Sequence, residues 1–215
     1  MSPFPVILSS PSGGGKTTIA HELLRNRSDL GYSVSCTTRA ARADEEHGKD
    51  YFFVSQEEFT GARERGEFAE SAEVHGRLYG TLRREVDRVL ASGRHVIMDI
   101  DVQGARQFVA SYPGSVLIFI LPPDAETMLR RLAARGSESG ESLGRRLKSA
   151  ILELRSVDIY GYLVVNDDLG TAVKAISGII DSEELRLYRG SGDRERIDLL
   201  VTGLESKIEK MKRSG

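Results

Sequence analysis

The chain has 215 residues, enough for one sizeable core or one domain with insertions, and its 40% hydrophobic and 29% charged residues are ordinary for a globular protein. A net charge of −2 excludes a globally basic nucleic-acid-binding surface, so any attraction for phosphate must be local. No stretch approaches the roughly 20 consecutive apolar residues of a membrane span, the single Cys36 excludes an intrachain disulfide, and the four histidines show no zinc-ligand spacing.

Met1-Ser2-Pro3-Phe4 lack the basic region and apolar core of a signal peptide, which makes a cytoplasmic location the default expectation. Val6–Ser9 then reads as a buried strand, Ser10–Gly15 as a glycine-rich turn, and Thr17–Arg25 as a helix. Glycines let such a turn point several backbone N–H groups at one anion, and the helix N-terminus adds partial positive charge there. Ser12, Gly13, Gly14, Gly15, Lys16, Thr17 and Thr18 therefore read as a P-loop. Lys16 is placed to reach the β- and γ-phosphates of a nucleotide, and the Thr17 hydroxyl to ligate Mg²⁺. Ser10 stands where the general pattern has glycine.

Tyr32–Cys36 is the next strand-like run. From about Thr37 to Thr81 the rhythm breaks: the segment is polar, with short strand candidates at Asp50–Val54 and Phe68–Val74 and a helix candidate at Gln56–Arg65. It reads as an insertion that folds over the site. Alternation resumes with a helix over Leu82–Ala91, a strand over His95–Ile100, a helix over Val102–Tyr112, a strand over Ser115–Leu121 and a helix over Ala125–Arg135. A polar glycine- and serine-rich loop follows to Ser142, then a helix over Leu143–Val157, a strand over Tyr162–Val165 and a helix over Thr171–Leu187. This order predicts an α/β fold: a parallel sheet flanked by helices on both faces, with an insertion between its second strand and the next helix. After Arg189–Gly192, apolar residues at Ile197, Leu200, Val201, Leu204, Ile208 and Met211 mark a last helix, packed on the chain's own core or forming a subunit contact.

Two groups of residues carry further chemistry. The strand His95–Ile100 ends in acids, and alternation places Asp99 and Asp101 on one face near the phosphate loop. Asp99 resembles a Walker B acid that holds Mg²⁺ directly or through water. In the insertion, Arg39 and Arg42 with Tyr51 and Tyr79 offer planar guanidinium forks and hydroxyl donors suited to a second phosphate. On spacing alone, a solvated basic loop is the better reading of this second group.

Ser33-Val34-Ser35-Cys36-Thr37-Thr38-Arg39 with Arg42, Gly48–Val54, Gly66-Glu67-Phe68 with Glu70, Tyr79-Gly80-Thr81, Asp99-Ile100-Asp101 with Gln103-Gly104, and Val165–Leu169 together resemble the guanylate kinase family, in its order and at its spacing. The resemblance runs from about Pro5 to Leu187 and implies an α/β P-loop kinase fold with a small inserted nucleotide-monophosphate-binding region and a lid, and transfer of the ATP γ-phosphoryl group to GMP, and to dGMP, with Mg²⁺ as cofactor. Its partners would be ATP and GMP, with no nucleic acid and no membrane, in a monomer or homodimer. P-loops of the family often lack the first glycine, which accounts for Ser10.

The resemblance also implies roles. Arg39, Arg42, Tyr51 and Tyr79 match residues that hold the GMP phosphate, and Glu70 matches the carboxylate that reads the base. Guanine offers N1–H and N2–H₂ as neighbouring donors, whereas adenine would face that carboxylate with a lone pair. Ser35 and Thr81 match hydroxyls at the guanine edge, and Asp101 an acid near the base and the metal; Thr81 and Asp101 could equally be structural. Arg135 and Arg146 match lid arginines, with Arg131 a nearby candidate and Arg145 a one-residue slip from Arg146. Lys16, Arg39, Arg135 and Arg146 would be the catalytic cations. Asn166 matches a residue near the ATP adenine, or belongs to a helix N-cap. The expected division is a kinase domain over 1–190, with core 1–34, 82–134 and 150–190, a GMP-binding insertion at 35–81 and a lid at 135–149, followed by a C-terminal helix at 191–215. His75 and Leu78 stand where the family is commonly aromatic. A catalytically inactive, protein-binding relative would tend to have a degraded P-loop, and a kinase of another phosphorylated acceptor would lose Ser35, Glu70 and Thr81.

Overall fold

The computed structural model describes residues 2–43, 45–74, 76–133, 140–186 and 191–213. β1 (Pro5–Ser9) is buried at every position and leads through the glycine turn into α1 (Lys16–Asn26). β2 (Leu30–Tyr32) and β3 (Ser35–Thr37) follow. The single strand expected over Tyr32–Cys36 is thus two strands in two sheets. Ser33 still donates its N–H to Ile97 O at 3.2 Å, and beyond it the chain leaves the main sheet.

The insertion continues with β4 (Phe52–Phe53), shorter than the expected Asp50–Val54, and α2 (Gln56–Glu64). A capping box explains where α2 begins: the Ser55 side chain accepts from Glu58 N, and the Glu58 side chain accepts from Ser55 N. β5 (Phe68–Val74) pairs with β6 (Arg77–Leu82), a strand the sequence did not announce. Leu82 belongs to that strand and serves as N-cap of α3 (Arg83–Ala91), so the helix begins one residue later than expected. His75, between β5 and β6, lies outside the described residues.

The remaining elements are β7 (His95–Asp99), α4 (Val102–Ser111), β8 (Val116–Leu121), α5 (Ala125–Ala133), α6 (Gly140–Leu154), β9 (Tyr162–Val165), α7 (Leu169–Glu184) and α8 (Ser191–Arg213). α6 begins at Gly140, inside the expected loop, and ends at Leu154, three residues short of the expected end. Arg135 and the rest of 134–139 lie outside the described residues.

The main sheet has the order β2-β7-β1-β8-β9, with every pair parallel. Val6, Ile7, Leu8, Val96, Ile97, Met98, Ile118, Phe119 and Ile120 are fully buried, the near-continuous apolar runs that a sheet covered on both faces requires. β1 lies at its centre between β7 and β8, so the P-loop emerges beside the carboxyl ends of both neighbours. This is the predicted parallel sheet flanked by helices. The second sheet has the order β4-β3-β6-β5. One of its faces carries Cys36, Phe68 and Leu82, which pack with Phe59 and Ala62 of α2.

The chain divides into two compact units: Pro3–Ser177, which holds both sheets, and a second unit that takes up the chain from Gly178 onward. Within the second unit, α8 exposes Ile197, Leu200, Val201, Leu204, Ile208 and Met211. No helix among the described residues is long and apolar enough to cross a membrane.

Candidate active site

The P-loop adopts its shape because of two glycines in the left-handed region, Gly13 at φ 86° and Gly15 at φ 90°. Gly14 N–H donates to Pro11 O at 2.9 Å and closes the turn. A Cβ on Gly14 would meet Ser10 Cβ at 2.5 Å, so the side chain at Ser10 fits because position 14 has none. Ser10 Oγ stays on its own loop and donates to Pro11 O at 3.0 Å.

Asn166, buried at the end of β9, donates from Nδ2 to Gly14 O at 2.9 Å, and a Cβ on Gly15 would strike that amide nitrogen. Asn166 therefore braces the P-loop. It is not a helix cap, because Asp168 accepts from Thr171 N instead. Arg131 of α5 donates from Nη2 to Asn166 O at 3.1 Å, while its buried Nη1 has no hydrogen-bond partner among the described residues. A buried guanidinium donor left over beside a phosphate loop suits an anionic ligand.

Where the P-loop enters α1, the Thr17 hydroxyl donates to Asp99 Oδ2 at 2.5 Å. Tyr32, at the end of β2, donates its hydroxyl to Asp99 Oδ1 at 2.7 Å. Thr17 and Asp99 are hard oxygen donors, few in number and beside the phosphate loop. That set suits Mg²⁺, which keeps several waters and takes only one or two protein ligands next to substrate phosphates. Asp101 does not continue the strand. β7 stops at Asp99, and the Asp101 carboxylate caps α4 by accepting from Gly104 N at 2.8 Å. The one-face argument for the two acids therefore fails: Asp99 meets Thr17 and Tyr32, and Asp101 lies near Glu70.

The second sheet supplies the base side. Ser35, Thr81 and Glu70 stand abreast on β3, β6 and β5, and opposed residues on neighbouring strands share a face. A register shift between Phe68 and Glu70 makes this possible. Phe68 faces Leu82 and belongs to the apolar side; with unbroken alternation through Ala69 and no register shift, Glu70 would lie on that side too. Thr81 Oγ1 donates to Glu70 Oε1 at 2.6 Å. The other carboxylate oxygen presses on α4, where a Cβ on Gly104 would meet Glu70 Oε2 at 2.5 Å. Burial pushes the Glu70 carboxyl up to about 7, against the lowering effect of the Thr81 hydrogen bond and with help from the negative charge of Asp101.

Tyr79 lies two residues before Thr81 on β6 and shares that face. Its ring meets the edge of Tyr51 at 6.0 Å, and the Arg39 guanidinium lies 5.5 Å from the centre of the Tyr51 ring. Arg39 is gripped by Glu45 through two 2.8 Å hydrogen bonds, which hold its pKa above the ordinary arginine value. Arg42 is 72% exposed at the side chain and lies 3.9 Å from Glu45. The structure thus groups Arg39, Tyr51 and Tyr79 and leaves Arg42 at the rim.

α6 carries Arg146, half-buried, together with a residue the sequence reading missed. Glu153, seven positions and two helical turns beyond Arg146, lies on the same stripe. Its carboxylate feels the charge of Lys16; burial pushes it up to about 7, which Lys16 opposes, and its buried Oε2 has no hydrogen-bond partner among the described residues. Glu153 and Asp101 both line one cavity of about 280 Å³ among β5, α4 and α6. The Arg145 side chain lies outside the described residues. Tyr32, Glu45 and Glu153 are the functional candidates that sequence reasoning missed. For Glu45 the signal was weak, because it is the middle one of three consecutive acids, Asp44-Glu45-Glu46, that follow Arg39 and Arg42.

A family model described as guanylate kinase matches residues 2–183. The guanylate kinase of Geobacter metallireducens is 46% identical over 85% of this chain and 90% of its own length. That of Thermotoga maritima is 43% identical over 92% of this chain and 95% of its own. A crystal structure of guanylate kinase from Anaplasma phagocytophilum superposes with a TM-score of 0.75 at 36% identity, covering 90% of this chain and 93% of that one.

Proposed function

The chain belongs to the guanylate kinase family, and from that premise we propose how its own residues phosphorylate GMP. The enzyme transfers the γ-phosphoryl group of ATP to GMP, giving ADP and GDP. The acceptor oxygen is already anionic, so no general base is needed; the obstacle is bringing two polyanions together. Lys16 and the P-loop amides hold the donor phosphates, with Ser12, Gly13, Gly14, Gly15, Thr17 and Thr18 around them. Asn166 keeps that loop in register, and Arg131 offers its spare donor to the same anion. Thr17 and Asp99 would hold Mg²⁺, which when bound offsets charge on the donor phosphates.

On the acceptor side, Arg39 binds the GMP phosphate with Tyr51 and Tyr79, and Arg42 adds positive charge from the rim. Glu45 positions Arg39 by gripping its fork. Ionised Glu70 accepts from guanine N1–H and N2–H₂, Thr81 orients that carboxylate, Ser35 borders the base, and Asp101 keeps the α4 end of the pocket in place. dGMP fits the same reading, because none of these contacts needs the 2′-hydroxyl. Arg146, and Arg135 beyond the described residues, complete the cation set as a lid over 135–149 that excludes water. We place the reaction in the cytoplasm, with the chain acting as a monomer or homodimer.

The observation that carries this reading is the row Ser35–Thr81–Glu70, with its buried, hydrogen-bonded carboxylate beside a P-loop. It is tested by ADP release from ATP and Mg²⁺ with GMP, AMP, CMP or UMP as acceptor. Release with GMP alone is expected; comparable release with AMP would contradict the assignment of Glu70.

A further inference from the structure

We propose that Tyr32 is a positioning residue for the metal site: its hydroxyl fixes the Asp99 carboxylate so that Oδ2 faces Thr17 and the cation. The geometry is direct. In the main sheet Tyr32 is paired in register with Ile97, so the end of β2 lies alongside β7 two residues before Asp99. From there the phenol donates to Oδ1 at 2.7 Å while Thr17 donates to Oδ2 at 2.5 Å. Both carboxylate oxygens are thus held by hydroxyls. The Tyr32 ring is itself seated against His21 of α1, edge to face at 6.2 Å.

A carboxylate with one donor can swing about its Cβ–Cγ bond, and one with a donor on each oxygen cannot. A cation that takes most of its shell from water and phosphate depends on a protein oxygen being in place beforehand. Tyr32 would therefore affect how much metal is needed, with little effect on ATP or GMP affinity. This role rests on the assignment of Asp99 to the metal site.

The test uses the full chain with Tyr32→Phe, which removes the hydroxyl and keeps the ring, and Asp99→Asn as reference. Mn²⁺ binding to the ADP complex is followed by electron paramagnetic resonance, without turnover, alongside the Mg²⁺ concentration that half-saturates activity. The expected result for Tyr32→Phe is about a tenfold rise in the Mn²⁺ Kd and in the half-saturating Mg²⁺ concentration, the scale of one lost charge-assisted hydrogen bond, with the KM values for ATP and GMP within about twofold. Unchanged Mn²⁺ affinity in Tyr32→Phe, with a loss in Asp99→Asn, would overturn the proposal and leave the metal site standing. Unchanged affinity in both variants would overturn the assignment of Asp99 as well. A lower melting temperature with unaltered metal dependence would make Tyr32 a packing residue only.

Discussion

Glu70 has two demands placed on it that pull in opposite directions. Reading guanine needs an ionised carboxylate, yet burial pushes its carboxyl up to about 7. Near neutral pH the empty site therefore holds a substantial protonated fraction, and GMP recognition draws on the ionised remainder. The KM for GMP should fall as pH rises from about 6 to about 8. The GMP phosphate also titrates near pH 6, so the comparison is with Glu70→Gln, whose profile carries the phosphate titration alone. Parallel profiles in the two proteins would remove Glu70 from base reading. A similar balance holds at Arg39, whose partner Glu45 is kept below the ordinary carboxylate range by that same guanidinium. The fork is pre-aimed by a neighbour, which lowers the cost of ordering it when phosphate arrives.

Two elements set the base pocket, and only part of this was legible beforehand. The P-loop was readable because its determinants are local: an apolar strand, glycines at the turn, and Lys16 and Thr17 at a helix start. β6 was not, because Gly80 interrupts its strand pattern and its partner β5 lies across a short turn; the apolar periodicity of α3 then absorbed Leu82. Gly80 has a packing reason, since a Cβ there would strike Phe68 at 2.8 Å. The shift at Ala69 that turns Glu70 over to Thr81 belongs to the pairing and has no signature in one strand. Asp101 misled for a related reason: alternation holds only while a strand continues, and β7 ends at Asp99. Gly104 shows what the helix contributes. Gly104→Ala should push Glu70 out of line and raise the KM for GMP about tenfold, with the KM for ATP unchanged, as steady-state kinetics with each substrate varied would show. Equal effects on both substrates would mean that α4 supports the whole cleft and has no special part in base reading.

At the scale of the whole molecule, the site is expensive for stability. Glu70 and Glu153 are buried carboxyls, each pushed up to about 7 from an ordinary value of 4.5. Because the native state holds these protons more tightly than the unfolded chain, their contribution is most favourable below about pH 4.5 and is lost as pH rises through about 7. Glu70→Gln replaces the charge with a neutral group of the same shape. At pH 8 that variant should melt at a higher temperature than the parent, with the gap closing towards about pH 4, where Glu70 is mostly protonated in the native and the unfolded chain alike. A variant that melts lower at both pH values would mean that the ionised carboxylate is well compensated in the fold. Stability yielded at a binding site is a common trade, and here it falls on the residues that face the substrates.

The most direct measurement is kcat/KM for GMP in the parent chain and in Glu70→Gln at pH 8, with ATP saturating and the ATP KM measured alongside. Loss of about a hundredfold for GMP with the ATP KM within about twofold is the predicted result, since a buried polar site left mispaired discriminates strongly. An unchanged kcat/KM for GMP in a folded Glu70→Gln enzyme would contradict the account of how guanine is read.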